Sequence, residues 1–462
     1  MREPSDRQAN GARWRNWTRD QTCRPAAVRT PASIEELSAA IGEASAAGLP
    51  VRVAGAGHSF GDIALTDGMS ISLRGLSELL DVDRGSGLVR VHAGMTIREL
   101  GRRLDAHGLA LENLGDIDAQ TIAGAIATAT HGTGAGLPNI SAQVSELTMV
   151  LADGSALVCS PENDVEAFLA ARVGLGSLGV IAEVTLRCVP AFTLRGVDEP
   201  APLRDTLDRF EELSLANDHF EFYVFPYART ALTRRNNRTE DPPRTRSRVS
   251  AYANDILLTN HAFGLACRTG RRFPAQIPRL NRLVTRLAGR SERVERSAAI
   301  FVTPRLVRFT EMEYALPRES TIEAVRRVLE MIERKRFAVP FPIEVRTVKA
   351  DDAFLSTASS RESGYVAVHM YEGMEWRPYF RAVEAIMDEL EGRPHWGKRH
   401  FQTAATLSRR YPDWDRFQAV RSRLDPGGLF ANAWSERVLG AVRQAPATVP
   451  ADPVHGARHA GG

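Results

Sequence analysis

The chain has 462 residues, of which 43% are hydrophobic and 25% charged; this exceeds one ordinary core and implies two domains of a soluble globular type. The net charge of +3, from 59 basic and 56 acidic residues, gives no overall electrostatic case for binding nucleic acid or a membrane. Cys23, Cys159, Cys188 and Cys267 lie far apart with no C-x-x-C pair, which argues against a zinc ribbon, any other metal site or a disulfide framework and fits a reducing, cytoplasmic compartment.

The first residues, "MREPSDRQANGARWRNW", lack the apolar core of a signal peptide. Nowhere does an apolar run reach the roughly 18 residues of a spanning helix, although peripheral attachment to a membrane stays open. Ser33-Ile34-Glu35-Glu36 reads as a capping box, opening a helix through Leu37, Ile41 and Ala44 that Gly48 and Pro50 end. Val51–Val53 reads as a strand running into the loop "AGAGHSFG" (54–61), and "MSISL" (69–73) as another. "LLDVD" and "LVRVHAG" flank the turn "RGSG" as a hairpin, and Thr96-x-x-Glu99 opens a second helix on Ile97, Leu100 and Leu104. "LTMVLADGSALVCS" predicts a hairpin with Asp153-Gly154 at its tip, "DVEAFLAARV" a helix and "VIAEVTLRCV" a strand. After about residue 195 the strands lengthen, as in "HFEFYVFPY" (219–227). Residues 228–250, polar and arginine-rich, read as an exposed insertion without interleaved aromatics to stack bases. The expected organisation is α+β: an arm over 1–15, one domain over 16–192, a second over 193–440, and a disordered Pro/Ala/Gly-rich tail over 441–462.

The literal dinucleotide fingerprint "GLGSLG" (Gly174, Gly176, Gly179) has a helix before it and a strand after it. A Rossmann turn needs the reverse order, so at most this is a tight turn near a cofactor. In the loop at 54–61, Phe60 replaces the third glycine, yet Gly55, Ala56, Gly57 and Ser59 leave backbone N–H groups free to crowd an anion. A second small-residue stretch, "TIAGAIATATHGTGAG" (121–136), contains only isoleucines and His131 as larger side chains. Two such stretches in one short span point to a nucleotide-type cofactor rather than two buried turns. In "FPIEVRTV" (341–348), alternation turns Ile343 and Val345 one way and Glu344 and Arg346 the other. In "GYVAVHMY" (364–371), His369 shares a face with Tyr365 and Tyr371, opposite Val366, Val368 and Met370. Only three basic residues are lysines, and one of them, Lys398 in "RPHWGKRH", reads as a placed compact charge.

"VRVAGAGHSFGDIALTDG", "ATATHGTG", "HFEFYVFPY", "FPIEVRTV", "RPHWGKRH" and "RLDPGGLFAN" occur in the order that resembles the sugar-1,4-lactone oxidases and dehydrogenases, close to alditol oxidase, within the vanillyl-alcohol oxidase group of flavoproteins. The resemblance covers residues 16–440. It implies an N-terminal FAD-binding domain, a C-terminal substrate (cap) domain, and FAD bonded covalently through His58. It implies further cofactor contacts from Ala54, Gly55, Ala56, Gly57, Ser59 and Phe60, from Gly115 and Asp116, from Thr121, Gly124, Ala127, Thr128, His131 and Gly132, and from Val180 and Ile181. On the substrate side it implies that Glu344 and Arg346 meet the substrate, that Glu344 or His369 takes the hydroxyl proton, and that Lys398 lies at the N1–C2=O edge of the flavin, where a cation favours hydride acceptance. Gly115 stands where a methyl group in this family is associated with poor oxygen access, which favours an oxidase. Asp116 and Asp118 depart from the alditol-oxidase pattern. The expected activity is oxidation of an L-gulono- or D-arabinono-1,4-lactone to an ascorbate-type product, with oxygen or a cytochrome or quinone as acceptor. The alternatives are an alditol oxidase and, in another class, a non-catalytic nucleotide- or nucleic-acid-binding module built on the glycine loops and the arginines of 234–248.

Overall fold

The computed structural model describes residues 13–244, 261–302 and 306–442. The arm up to residue 12 and the tail from 443 therefore lie outside the described residues.

The first domain forms where short-range signals are strong. Ser33 Oγ accepts from Glu36 N at 3.2 Å, and the Glu36 carboxylate reaches back to Ala32 N at 2.8 Å. This fixes the start of the helix Ile34–Ala46, which buries Leu37, Ile41 and Ala44. Thr96 caps the helix Ile97–Ala106 in the same way. Ala27–Arg29, Met69–Ile71 and Val51–Val53 make a parallel sheet in that order. An antiparallel sheet follows the order Ala156–Cys159, Val144–Val150, Val180–Arg187, Leu88–His92, Leu79–Asp83. The hairpin predicted at Asp153-Gly154 is present, with Gly154 at φ +81°.

Among the described residues, the second domain is built on an eight-stranded antiparallel sheet. Its order is Ser291–Arg296, Thr193–Pro202, Thr230–Thr239, His219–Val224, Ile343–Val348, Ser363–Tyr371, Phe309–Pro317, Arg393–Pro394. Side chains alternate across it. Phe220, Phe222, Met312, Tyr314, Val345, Val366 and Val368 pack on one face against Val325, Val328 and Ile332 of helix Thr321–Lys335 and Phe380, Val383 and Met387 of helix Arg377–Glu389. Each such side chain contributes roughly 2 kcal/mol by leaving water. The face is therefore strongly fixed, and the polar residues between these positions must all emerge on the other side.

Two expectations need correction. The exposed insertion over 228–250 is not found in its described part: Thr230–Thr239 is an interior strand of the large sheet. Its arginines are held by carboxylates of neighbouring strands, Arg234 by Asp198 at 2.6 Å and Arg235 by Glu199. Residues 245–250 lie outside the described residues. The second domain also does not run unbroken to residue 440. Trp414, Phe417 and Leu424 of helix Trp414–Leu424, and Trp434, Val438 and Leu439 of helix Ala433–Leu439, join the core of the first domain. Val51 N donates to Leu429 O at 2.8 Å and Arg52 Nη1 to Phe430 O at 2.9 Å, stitching this returning segment to the first strands.

Candidate active site

The glycine loop opens onto a cleft between three small-residue segments. Gly55, Ala56, Gly57, His58 and Ser59 form one side, Thr121, Gly124, Ala127 and Thr128 another, and Gly174, Gly176, Gly179 and Ile181 a third. Gly57 sits at φ +72°, a conformation L side chains rarely adopt. A Cβ on Gly55 would stand 2.7 Å from Thr121 Oγ1, the atom that caps the helix Ile122–Ala127. The two small-residue stretches are thus pressed together, and bulk at their contact would break the cap. Among the described residues, no aspartate or glutamate lines the cleft. A lining of small residues with accessible backbone and no negative charge fits a dinucleotide and its pyrophosphate. Arg52, the cationic side chain there, is spent on structure: it donates to Ile63 O, Leu175 O, Gly176 O and Phe430 O at 2.9–3.0 Å. Burial and Arg421 lower its pKa to about 10. The "GLGSLG" stretch keeps its helix-before-strand order yet lines this cleft.

His58 lines the cleft with its ring stacked on Trp17, centroids 5.8 Å apart. Ala54 lines an adjoining cleft together with Gly55, Ala56 and Thr121. Phe60, Gly115, Asp116, His131, Gly132 and Val180 do not line the main cleft. Phe60, Asp116 and His131 instead meet a second wall, the polar face of the large sheet. Phe60 is buried against Phe309 and Trp17, with Lys398 Nζ 5.2 Å from its ring centroid. Phe60 N donates to Gly397 O at 2.7 Å, so the histidine loop and the lysine segment are one hydrogen-bonded unit. Likewise Gly134 N donates to Thr347 O at 2.8 Å and Thr133 Oγ1 to Phe220 O at 2.6 Å, which wedges the end of "ATATHGTG" between two strands of that sheet.

On this face the four expected substrate-side residues meet. Arg346 is buried and ion-paired with Glu344, with Glu221 at 2.8 Å and with Asp116 at 3.5 Å. Tyr223 OH, with one proton to share, lies 2.8 Å from Glu221 Oε1 and 3.1 Å from Glu344 Oε1. His369 Nδ1 lies 3.0 Å from Pro342 O, so this nitrogen carries the proton and Nε2 is the one turned to the site. Nε2 is 3.5 Å from Glu311 and 4.0 Å from Glu344. Lys398 Nζ is 2.6 Å from Glu311 and 4.0 Å from Glu313, whose other oxygen is 3.4 Å from His131 Nε2.

Pairing offsets the cost of burying these charges. Burial alone would raise Glu221, but Arg346 and Arg234 outweigh it and bring its pKa to about 2. Burial likewise opposes ionisation of Glu313, and His131 and Lys398 overcome it. Burial, with Glu221 and Glu344 alongside, holds Tyr223 protonated as a donor. Burial lowers His395 to about 3, leaving it neutral. Two buried triplets, His131–Glu313–His395 and Glu311–Glu344–His369, have ligand atoms within 4.8 Å of one another. A metal ion at either would compete with Lys398 or Arg346 for the same oxygens.

A family model described as D-arabinono-1,4-lactone oxidase matches residues 184–438, and one described as FAD binding domain matches residues 25–160. The chain is 51% identical over 427 residues to an L-gulono-1,4-lactone dehydrogenase of Mycobacterium tuberculosis, covering 92% of this chain and 99% of that one. The chain belongs to the aldonolactone oxidase family. It is an FAD-dependent oxidoreductase. L-gulonolactone oxidase of Bos taurus is 34% identical (93% and 98% covered), and alditol oxidase of a Streptomyces species 31% identical (92% and 98% covered). The fold is shared with cholesterol oxidase from B. sterolicum, at a TM-score of 0.79 and 17% identity, covering 95% of this chain and 100% of that one. This is the vanillyl-alcohol oxidase type of architecture expected from the sequence.

Five residues of this aldonolactone oxidase wall, Glu221, Tyr223, Glu311, Glu313 and His395, are absent from the sequence-derived candidates. The signal for four of them is the one that exposes Glu344 and Arg346. Glu221 and Tyr223 alternate with Phe220, Phe222 and Val224, and Glu311 and Glu313 alternate with Met312 and Tyr314. Charged residues at period two inside an apolar strand mark a face that meets something other than core.

Proposed function

We propose that the chain oxidises an aldono-1,4-lactone, of the L-gulono- or D-arabinono- type, to an ascorbate-type product. FAD, held by the glycine loop, the 121–128 stretch and the 174–181 turn, supplies hydride acceptance. Arg346, a planar donor fork fixed by Glu221 and Glu344, binds the lactone oxygens. His369 takes the hydroxyl proton at Nε2, because Glu344 Oε1 is already engaged by Arg346 and Tyr223. Glu311 is a positioning residue: it faces His369 Nε2 and stabilises the imidazolium once formed, while anchoring Lys398. Lys398 is the cation that offsets the negative charge left on the cofactor. His58 is the point of covalent attachment. The enzyme works in the cytoplasm, peripherally at a membrane, and passes electrons to oxygen or to a cytochrome or quinone.

The observation that carries this reading is the convergence of Arg346, Glu344 and His369 on one buried polar face tied by backbone bonds to the cofactor loop. Alditol oxidation is the second reading, favoured by the likeness to alditol oxidase; Asp116, paired with Arg346, is the departure that weighs against it. Steady-state turnover on a panel of lactones and alditols, with oxygen and cytochrome c as acceptors, tests both. Turnover confined to alditols would overturn the lactone reading.

A further inference from the structure

Residues 261–291 contain seven arginines and no aspartate or glutamate. They fold as the helices Phe263–Arg272 and Ile277–Leu287, joined by the turn Pro274–Gln276. The apolar stripe of the second helix is only partly covered: Ile277 is buried and Leu280 and Val284 are half-buried. Its buried positions are Ile277, Asn281 and Thr285, with Asn281 Nδ2 donating to Pro226 O and Val339 O at 3.0 Å. Its outer positions carry Leu283 and Leu287, 52% and 76% exposed, among Arg279 and Arg286. An ordinary surface helix turns its leucines to the core. In the first helix Leu265, 60% exposed, shares a face with Arg268 and Arg272, and Phe273 follows at 56%. Some exposed arginines elsewhere are paired, as Arg98 is with Asp118 and Arg416 with Glu166. Among the described residues, Arg268, Arg272, Arg279 and Arg286 form no salt bridge.

We infer that this surface docks the enzyme onto anionic lipid headgroups. The inference deepens the peripheral-association part of the function proposed above and is independent of the lactone chemistry. Guanidinium groups pair with lipid phosphates, while protruding leucines enter the boundary between headgroups and acyl chains. An acidic protein partner would match the arginines but leave the leucines without a role. A second copy of the chain would set seven like charges against seven. The docking face is also close to the substrate wall: Phe263 packs on Phe341 at 4.8 Å, and Phe341 lies 6.0 Å from His369.

The test is co-sedimentation of the full flavoprotein with phosphatidylcholine vesicles, with and without one-third phosphatidylglycerol. Binding is expected only to the anionic vesicles and is expected to fall with added salt. Arg279→Gln with Arg286→Gln should weaken it about 30-fold, each charge contributing about fivefold. Leu283→Ser with Leu287→Ser should weaken it about tenfold or more. Lactone turnover with a soluble dye acceptor, measured on the same samples, should be unchanged in both variants, which separates a docking failure from a failure of the catalytic reading. No vesicle binding, equal binding to the zwitterionic vesicles, insensitivity to both variants, or a dimer in solution that the leucine variant dissolves would each overturn the inference.

Discussion

Arg346 is the most informative side chain to remove. One guanidinium meets three carboxylates, those of Glu344, Glu221 and Asp116, inside a buried wall. Arg346→Met strands those charges, and loss of one partner from a buried pair costs roughly 3–5 kcal/mol. Arg346→Lys keeps one positive charge but loses the fork; one lost charge-assisted hydrogen bond costs roughly 1.5–3 kcal/mol. Unfolding of the holoprotein in urea, followed by tryptophan fluorescence, reads both. The pH dependence carries a sign. Glu221 is held at about 2, below the ordinary 4.5 of a glutamate, by Arg346 and Arg234 against burial. Its stabilising contribution is therefore present above about pH 4.5 and lost as pH falls toward about 2. The gap between wild type and Arg346→Met should be widest near neutral pH and close toward pH 3. In catalysis, loss of the fork from the substrate should lower kcat/KM by at least about 100-fold, about 2.7 kcal/mol of transition-state stabilisation. A stability loss under about 1 kcal/mol together with unchanged kcat/KM would refute both roles assigned to Arg346.

Three further outcomes are expected. Acid-denatured wild type should keep flavin fluorescence on a denaturing gel and His58→Ala should lose it; flavin that washes free of the wild type removes His58 from covalent chemistry. In Gly115→Ala the new Cβ meets His131 O at 3.2 Å and Thr130 Cγ2 at 3.4 Å. That contact should cost about 1 kcal/mol and depress turnover with oxygen far more than turnover with cytochrome c; equal turnover ratios in both enzymes would end the oxygen-access reading. Asp351 accepts from Asn139 Nδ2 at 2.7 Å and Ala353 N at 3.0 Å, yet burial outweighs these bonds and pushes its pKa up to about 6. A raised acid favours the folded state at low pH, and that advantage disappears as pH rises through about 6, so Asp351→Asn should gain up to about 3 kcal/mol on wild type between pH 4 and pH 7. Parallel stability curves would contradict this.

What the sequence made legible was local. Caps at Ser33 and Thr96, the turn at Gly154, and alternation in "FPIEVRTV" each depend on residues a few positions apart, and each is present in the fold. The pairing of the histidine loop with its partners was legible only as composition. Its cause, Gly55 against Thr121 and Phe60 N on Gly397 O, joins residues distant in sequence. Thr230–Thr239 read as an insertion because its arginines are neutralised by Asp198, Glu199 and Glu221 on other strands. The return of Trp414–Leu439 to the first core had no local marker, since amphipathic helices do not name the surface they cover. Glu311 and Glu313 had the marker, period-two charges in an apolar strand, and became candidates only once the strand's place beside His369 and Lys398 was known.

The central claim, that this chain oxidises an aldonolactone through FAD, is tested most directly by mixing the purified flavoprotein with substrate in the absence of oxygen. L-gulono-1,4-lactone or D-arabinono-1,4-lactone should bleach the flavin absorbance in proportion to the enzyme present, and Arg346→Lys should slow the bleaching. Flavin that stays oxidised with every lactone, or bleaches only with open-chain alditols, would contradict the account.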